Sequence, residues 1–196
     1  MRTFSVALLS LVAALTACAG LNVVESEVST YSQWPTGRKP GTYTFERLPS
    51  QQARAQEQAE LEAVTRPALA AAGFTETNDA KGADVTVQVG ARISRTDRAP
   101  YDDPFWWRGG MYYSRFGRPL WGPGFGMSFD SPRYDREVAL LIRDRQSNQP
   151  LYEARASNDG LTAGGAQLMG AMFQAATKDF PHNGINPRRV AIQLPK

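Results

Sequence analysis

The run from Ala83 to Ile93 constrains the fold more than any other stretch. Ala83, Val85, Val87, Val89, Ala91 and Ile93 alternate with Asp84, Thr86, Gln88, Arg92 and Ser94. Successive side chains of a strand point to opposite faces, so this period fits a strand with one apolar and one polar face. Such a strand needs paired neighbours and a layer over its apolar face, while its polar face meets water.

The other elements are read around it. Leu21 to Tyr31 is a first strand, with Val24, Ser26 and Val28 alternating with Glu25 and Glu27. Thr42 to Leu48 is a second, rich in aromatic and β-branched residues and stopped by Pro49. Ser50 is an N-cap for a helix reaching about Ala72, with Leu61, Val64, Ala68, Leu69 and Ala72 on one face and Gly73 as its stop. Pro67 should kink or split that helix, and the polar run Gln51 to Glu60 reads as a solvated extension. Tyr134 to Ile142 and Leu151 to Ala156 form a hairpin about Ser147-Asn148-Gln149, with Asp144 assigned to the turn. Leu161 to Phe180 is a second helix carrying Leu168, Met169, Met172, Phe173 and Ala176 in a stripe. Gly164, Gly165 and Gly170 weaken it unless close packing requires them. Arg189 to Leu194 is a last strand.

The order is β-β-α-β, a long aromatic loop, then β-β-α-β. The fold class expected is α+β: a single domain with both helices packed on one face of a mostly antiparallel sheet.

Residues 95–133 differ in character. Ten of the chain's twenty aromatic residues fall between Tyr101 and Phe129, with six glycines and three prolines among them, so no regular helix fits there. Three of the four tryptophans lie in the stretch, and Arg108, Arg115 and Arg118 stand between the rings. A structureless loop of that length is uncommon in a compact domain and points to function or disorder. One reading folds the rings back over the open sheet face. The other is an exposed platform, since Trp and Tyr anchor interfaces and Arg suits anionic groups. Candidate contact residues for residues 101–129 are Trp106, Trp107, Arg108, Tyr112, Tyr113 and Trp121. The rings could also dip into a headgroup layer.

The N-terminus suggests where such a surface works. Arg2 precedes an uncharged, mostly apolar run from Phe4 to Ala17. That matches a signal-peptide core and falls short of the roughly 20 apolar residues of a spanning helix. Leu15-Thr16-Ala17-Cys18 ends it and resembles a lipobox. In that pattern residues 1–17 are removed, and Cys18 receives a diacylglyceryl group and further acyl chains such as palmitate. The alternative is an ordinary secretory site ending at Ala17, with Cys18 left as a thiol. At about 0.8 kcal/mol per buried CH₂, two or three chains hold a protein to a bilayer effectively permanently. Ala rather than Asp at position 19 favours the outer membrane, facing the periplasm, by resemblance to lipoprotein sorting in Gram-negative envelopes.

Composition and motifs narrow the chemistry. The net charge is +3, one unit of it from Arg2, too weak and dispersed for nucleic acid. Cys18 is the only cysteine and His182 the only histidine. No cofactor or metal site is expected, because zinc needs a richer ligand set. A serine triad would lack its G-x-S-x-G elbow. Gly164-Gly165 is not followed by the Lys-Ser/Thr of a phosphate cradle, so packing is the better account. Asp102, Asp103 and Asp130 lack the spacing of a calcium loop.

Several short motifs occur in a recognisable order after the lipobox. They are Thr42-Tyr43-Thr44-Phe45, Ala71-Ala72-Gly73-Phe74, Ala83-Asp84-Val85, the Val138-to-Asp144 arm, and Phe173 to Pro181 with its Phe-Pro ending. Together they resemble the DUF4136-type family of proteobacterial outer-membrane lipoproteins, which carry a domain of unknown function. The resemblance spans most of residues 18–196. It departs at Tyr152, where members tend to carry Trp. It implies an envelope lipoprotein and supplies no catalytic residue.

Three functions remain in play. The favoured one is a non-catalytic, lipid-anchored protein that binds another envelope component, protein or glycan, through residues 101–129. The second is a structural or membrane-peripheral lipoprotein without a specific ligand. The third is a hydrolase using carboxylates such as Asp102 or Asp130.

Overall fold

A computed structural model describes residues 22–96, 111–113, 119–121 and 133–195. Cys18 and the signal segment lie outside the described residues. Strands β1 (Val23–Ser32), β2 (Thr42–Phe45), β3 (Thr75–Glu76), β4 (Val85–Thr96), β7 (Arg133–Asp144), β8 (Pro150–Gly160) and β9 (Arg188–Gln193) form one sheet. Its order is β3-β2-β4-β7-β8-β1-β9. Helices α1 (Pro49–Gln52), α2 (Ala55–Ala71) and α3 (Ala166–Thr177) complete it, with a two-stranded ribbon of β5 (Met111–Tyr113) and β6 (Pro119–Trp121). The class is α+β, as the sequence pattern implies.

Contacts divide the chain into two compact units. Of the described residues, one holds 22–92, 136–158 and 164–195; the other holds 93–96, 111–113, 119–121, 133–135 and 159–163. The second contains the ribbon and the Arg133–Asp159 ion pair.

The core lies between the sheet and the two long helices. Val24 and Val28 of β1, Val85, Val87 and Val89 of β4, and Val138, Leu140 and Ile142 of β7 all turn inward. Leu69 of α2 and Met172 and Phe173 of α3 meet them. Trp34, Phe74, Phe180 and Tyr152 fill one end with edge-on ring contacts, Trp34 to Phe180 at 4.7 Å and Tyr152 to Phe180 at 5.2 Å. Tyr152 is 1% exposed and its hydroxyl donates to the Ala176 carbonyl at 2.8 Å. Tyr152 therefore ties β8 to α3.

The sheet is mostly antiparallel, as expected, and it contains one parallel part: β2 runs parallel to both β3 and β4, whereas β1 is antiparallel to β8 and β9. The helices after β2 form the crossover that a parallel pairing requires. Several other expectations are corrected. The alternation of β4 holds only to Val89, because Ala91 and Ile93 are exposed. The helix expected from Ser50 to Ala72 is broken at Ala53–Arg54 and not at Pro67. Pro67 and Ala63 both face solvent, so water can satisfy the carbonyl that the proline leaves without a donor. The polar run from Gln51 to Glu60 is largely exposed, as expected, but two of its residues are tied to the sheet. Gln51 and Gln58 both donate their side-chain amides to the Val89 carbonyl, at 2.8 and 3.2 Å. The second helix is shorter than the span read from Leu161, which is 71% exposed and precedes it. Residues 95–133 are not wholly loop, since β5 and β6 pair within them.

Local signals explain other ends. Gly73 has φ +93° and follows the last turn of α2. Phe74 N–H donates to Leu69 O and Gly73 N–H to Ala70 O, the double closure that glycine permits at a helix end. Gly164 has φ +81°, and a β-carbon there would stand 3.3 Å from both Arg136 Cδ and Leu168 Cδ2. Nothing in the structure requires glycine at 165.

Candidate functional site

The residues singled out in the sequence fall unevenly. Trp106, Trp107 and Arg108 lie outside the described residues, as do Asp102, Asp103 and Asp130. Tyr112 and Tyr113 stand on β5 and Trp121 on β6, in a register that sets Met111 opposite Trp121, Tyr112 opposite Leu120 and Tyr113 opposite Pro119. The ribbon thus carries three of the candidates on adjacent strands. Sequence reasoning missed the ribbon because glycines and prolines are interleaved through the segment. Proline is nonetheless compatible with the first position of a strand, where Pro119 stands.

A second surface lay unnoticed in the sequence. The face of the main sheet turned away from the helices holds an open trough of about 400 Å³ lined by Glu27, Ser29 and Tyr31 of β1, Glu137 of β7, and Glu153 and Arg155 of β8. Tyr31 is opposite Glu153 and Ser29 opposite Arg155. Tyr31 is 58% exposed. These are the polar partners in the alternation of β1, which strand reading uses only to define the other face.

The ionisable groups with shifted equilibria are held by structural bonds. Asp84 is held below the ordinary carboxylate range, first by the Thr42 backbone N–H at 2.7 Å and then by the Thr42 hydroxyl at 2.8 Å. Asp144 is lowered from 3.8 to about 2, first by the Ser147 N–H, then by the Arg38 guanidinium at 2.8 Å. Arg38 also lies over the Trp34 ring at 5.2 Å, so the β7–β8 turn is tied to the loop after β1. Burial, then Glu76, pushes Tyr43 up to about 12, and burial raises Tyr152 further. The assignment of Asp144 to turn chemistry agrees with these bonds. His182 is exposed, and its backbone N–H donates to the Asp179 carbonyl behind the last turn of α3. Among the described residues no three His, Cys, Asp or Glu side chains gather closely enough to hold a metal ion.

The lowered Asp144 makes a pH prediction. A depressed folded-state pKa adds stability that is complete above the unfolded value, near 3.8, and is lost as pH falls through about 2. Asp144→Asn should melt below wild type at neutral pH, and the gap should close across that acid window. A gap that stays constant down to the lower limit would remove the Arg38 and Ser147 bonds as the cause.

The domain of unknown function DUF4136 matches residues 27–182. The chain belongs to this family. The DUF4136 match begins within β1 and ends just past α3, and so covers most of the main sheet and both long helices. No curated protein matches the chain. Among solved structures, a PDZ domain protein from Parabacteroides distasonis is similar over 91% of this chain at 12% identity and a TM-score of 0.53. The chain spans 40% of that protein, and the likeness shows the fold alone. A PelC dodecamer from Paraburkholderia phytofirmans is similar over 76% of this chain and 93% of its own, at 9% identity and a TM-score of 0.37. A DUF4136 protein from Bacteroides thetaiotaomicron is similar over 78% of this chain and 94% of its own, at 14% identity and a TM-score of 0.27.

Proposed function

We propose that this DUF4136 protein is a lipid-anchored lipoprotein of the outer membrane that faces the periplasm and binds another envelope component without catalysing a reaction. The observation that carries the reading is the Leu15-Thr16-Ala17-Cys18 pattern behind the apolar run from Phe4 to Ala17. A binding role is supported by the concentration of rings between Tyr101 and Phe129, and by the β5–β6 ribbon that gives Tyr112, Tyr113 and Trp121 a regular backbone. It is further supported by the structural employment of Asp84, Asp144, Tyr43 and Tyr152, whose shifts trace to turn bonds and burial.

The partner is a protein or a glycan, and one comparison separates the two. Full-length protein is crosslinked in whole envelopes and recovered, and is separately sedimented with purified peptidoglycan. Trp106→Ala combined with Trp107→Ala should reduce recovery in whichever arm is positive by tenfold or more. Exposed aromatic anchors commonly carry roughly 2 kcal/mol each. Capture undiminished by the double substitution places the contact elsewhere. Capture in neither arm favours the structural lipoprotein.

A further inference from the structure

The two edges of the main sheet are finished differently. At one end stands β3, only two residues long. A very short edge strand offers little backbone to a passing chain. At the other end stands β9, Arg188–Gln193, with no strand beyond it among the described residues.

The register shows which backbone groups β9 leaves open. Val24 is opposite Ile192 and Ser26 opposite Val190, and Leu194 N–H donates to the Asn22 carbonyl at 2.8 Å. Opposed residues in an antiparallel ladder alternate between bonded and non-bonded pairs. Counting back from Leu194, Ile192, Val190 and Arg188 therefore face β1. Arg189, Ala191 and Gln193 turn their N–H and C=O groups outward.

Where β1 runs past β9, the same edge is closed. Asn186 accepts from Thr30 N–H at 2.8 Å and donates to Thr30 C=O at 2.7 Å. Asn183 bonds Ser32 in the same two-sided way. Two side-chain amides thus imitate a neighbouring strand along β1, while β9 has no such cover among the described residues. Nor does β9 carry a proline within its span; Pro187 and Pro195 only bracket it.

The open edge is also self-complementary. Antiparallel pairing with a second β9 about a two-fold axis at Ala191 would set Arg189 against Gln193, Val190 against Ile192, and Ala191 against its own copy. Each of Arg189, Ala191 and Gln193 would then use both outward groups. No arginine would face an arginine, and the buried Val190 and half-buried Ile192 would share the covered face. Shifting the register by two residues brings Pro187 or Pro195 into the ladder, where a donor is missing. We propose that β9 is a homodimer edge: a second copy of this chain adds its own β9 antiparallel about Ala191, joining the two sheets into one.

Two substitutions separate pairing from folding. Ala191 is exposed on the outer face opposite Glu25. Ala191→Lys places an opposite charge beside Glu25 within one chain, but sets lysine against lysine across the two-fold axis. Ala191→Pro removes an outward N–H at an edge strand, a position where proline is tolerated. Full-length protein in detergent is measured by sedimentation, with melting followed in parallel. Wild type should be a concentration-dependent dimer. Both variants should weaken dimerisation tenfold or more with melting little changed. A third variant needs no loss of function: Ala191→Cys should form a disulfide-linked dimer in oxidised membranes well above wild type and above Ser147→Cys, which lies in the β7–β8 turn. A wild type that stays monomeric at every concentration, an Ala191→Lys protein as dimeric as wild type, or equal crosslinking at 147 and 191 would each overturn the proposal.

Discussion

Val87→Asp should abolish cooperative melting of this protein, whereas Gln88→Asp should leave it nearly unchanged. Val87 is the third residue of β4 and has 0% exposure, under the helix layer. Replacing it forfeits roughly 1.5–3 kcal/mol of apolar burial. It also buries a carboxylate with no cation beside it, which costs several kcal/mol more. Together these approach the whole stability of an ordinary domain, about 5–15 kcal/mol. Gln88 is on the opposite face and half-buried, so a carboxylate there keeps contact with water and should cost little. The pair is measured as two thermal melts on otherwise identical chains. Equal melting temperatures would mean that the strand or its register is wrong.

Arg47→Ala should be the most damaging removal of a single charge. The Arg47 guanidinium grips Glu62 with two bonds of 2.6 Å, one to each carboxylate oxygen. The Glu62 side chain is 4% exposed and that of Arg47 31%. Removing Arg47 strands a buried carboxylate, at a cost of roughly 3 kcal/mol, the low end for such a loss because water reaches the arginine side. Replacing both residues with apolar ones of similar length, Arg47→Met with Glu62→Leu, should recover most of that loss. Denaturant unfolding of the wild type, Arg47→Met, Glu62→Leu and the double variant gives the coupling directly. A double variant as unstable as Arg47→Ala alone would show that the pair is not what holds α2 against the end of β2.

The polar stripe that includes Glu62 shows where sequence reading ran out. Gln58, Glu62 and Thr65 are buried on α2, yet each looks like a solvent-facing residue in the chain. Their partners are Val89, Arg47 and the Leu61 carbonyl, and the first two are contacts of tertiary structure that no local period announces. Asn183 and Asn186, which close the edge of β1, are bonded across some 150 residues of sequence. The parallel placement of β2 beside β4 is invisible for the same reason, because β2 alternates as an antiparallel strand would. What was legible depended on local rules. The alternation from Ala83 to Val89 reports a face, Gly73 reports a left-handed stop, and Asp144 reports a turn. The stripe of Met169, Met172, Phe173 and Ala176 reports the buried side of α3. The candidate site was legible as composition only: its rings stood out, but the pairing of β5 with β6 did not.

The proposed lipid anchor at Cys18 carries the proposed address and role, and metabolic labelling tests it most directly. Cells are fed a clickable fatty acid, the full-length protein is recovered, and wild type is compared with Cys18→Ala. The account predicts label on wild type, none on Cys18→Ala, and loss of the variant from the outer-membrane fraction, either unprocessed or released. Equal label on both proteins, or none on wild type, would contradict it.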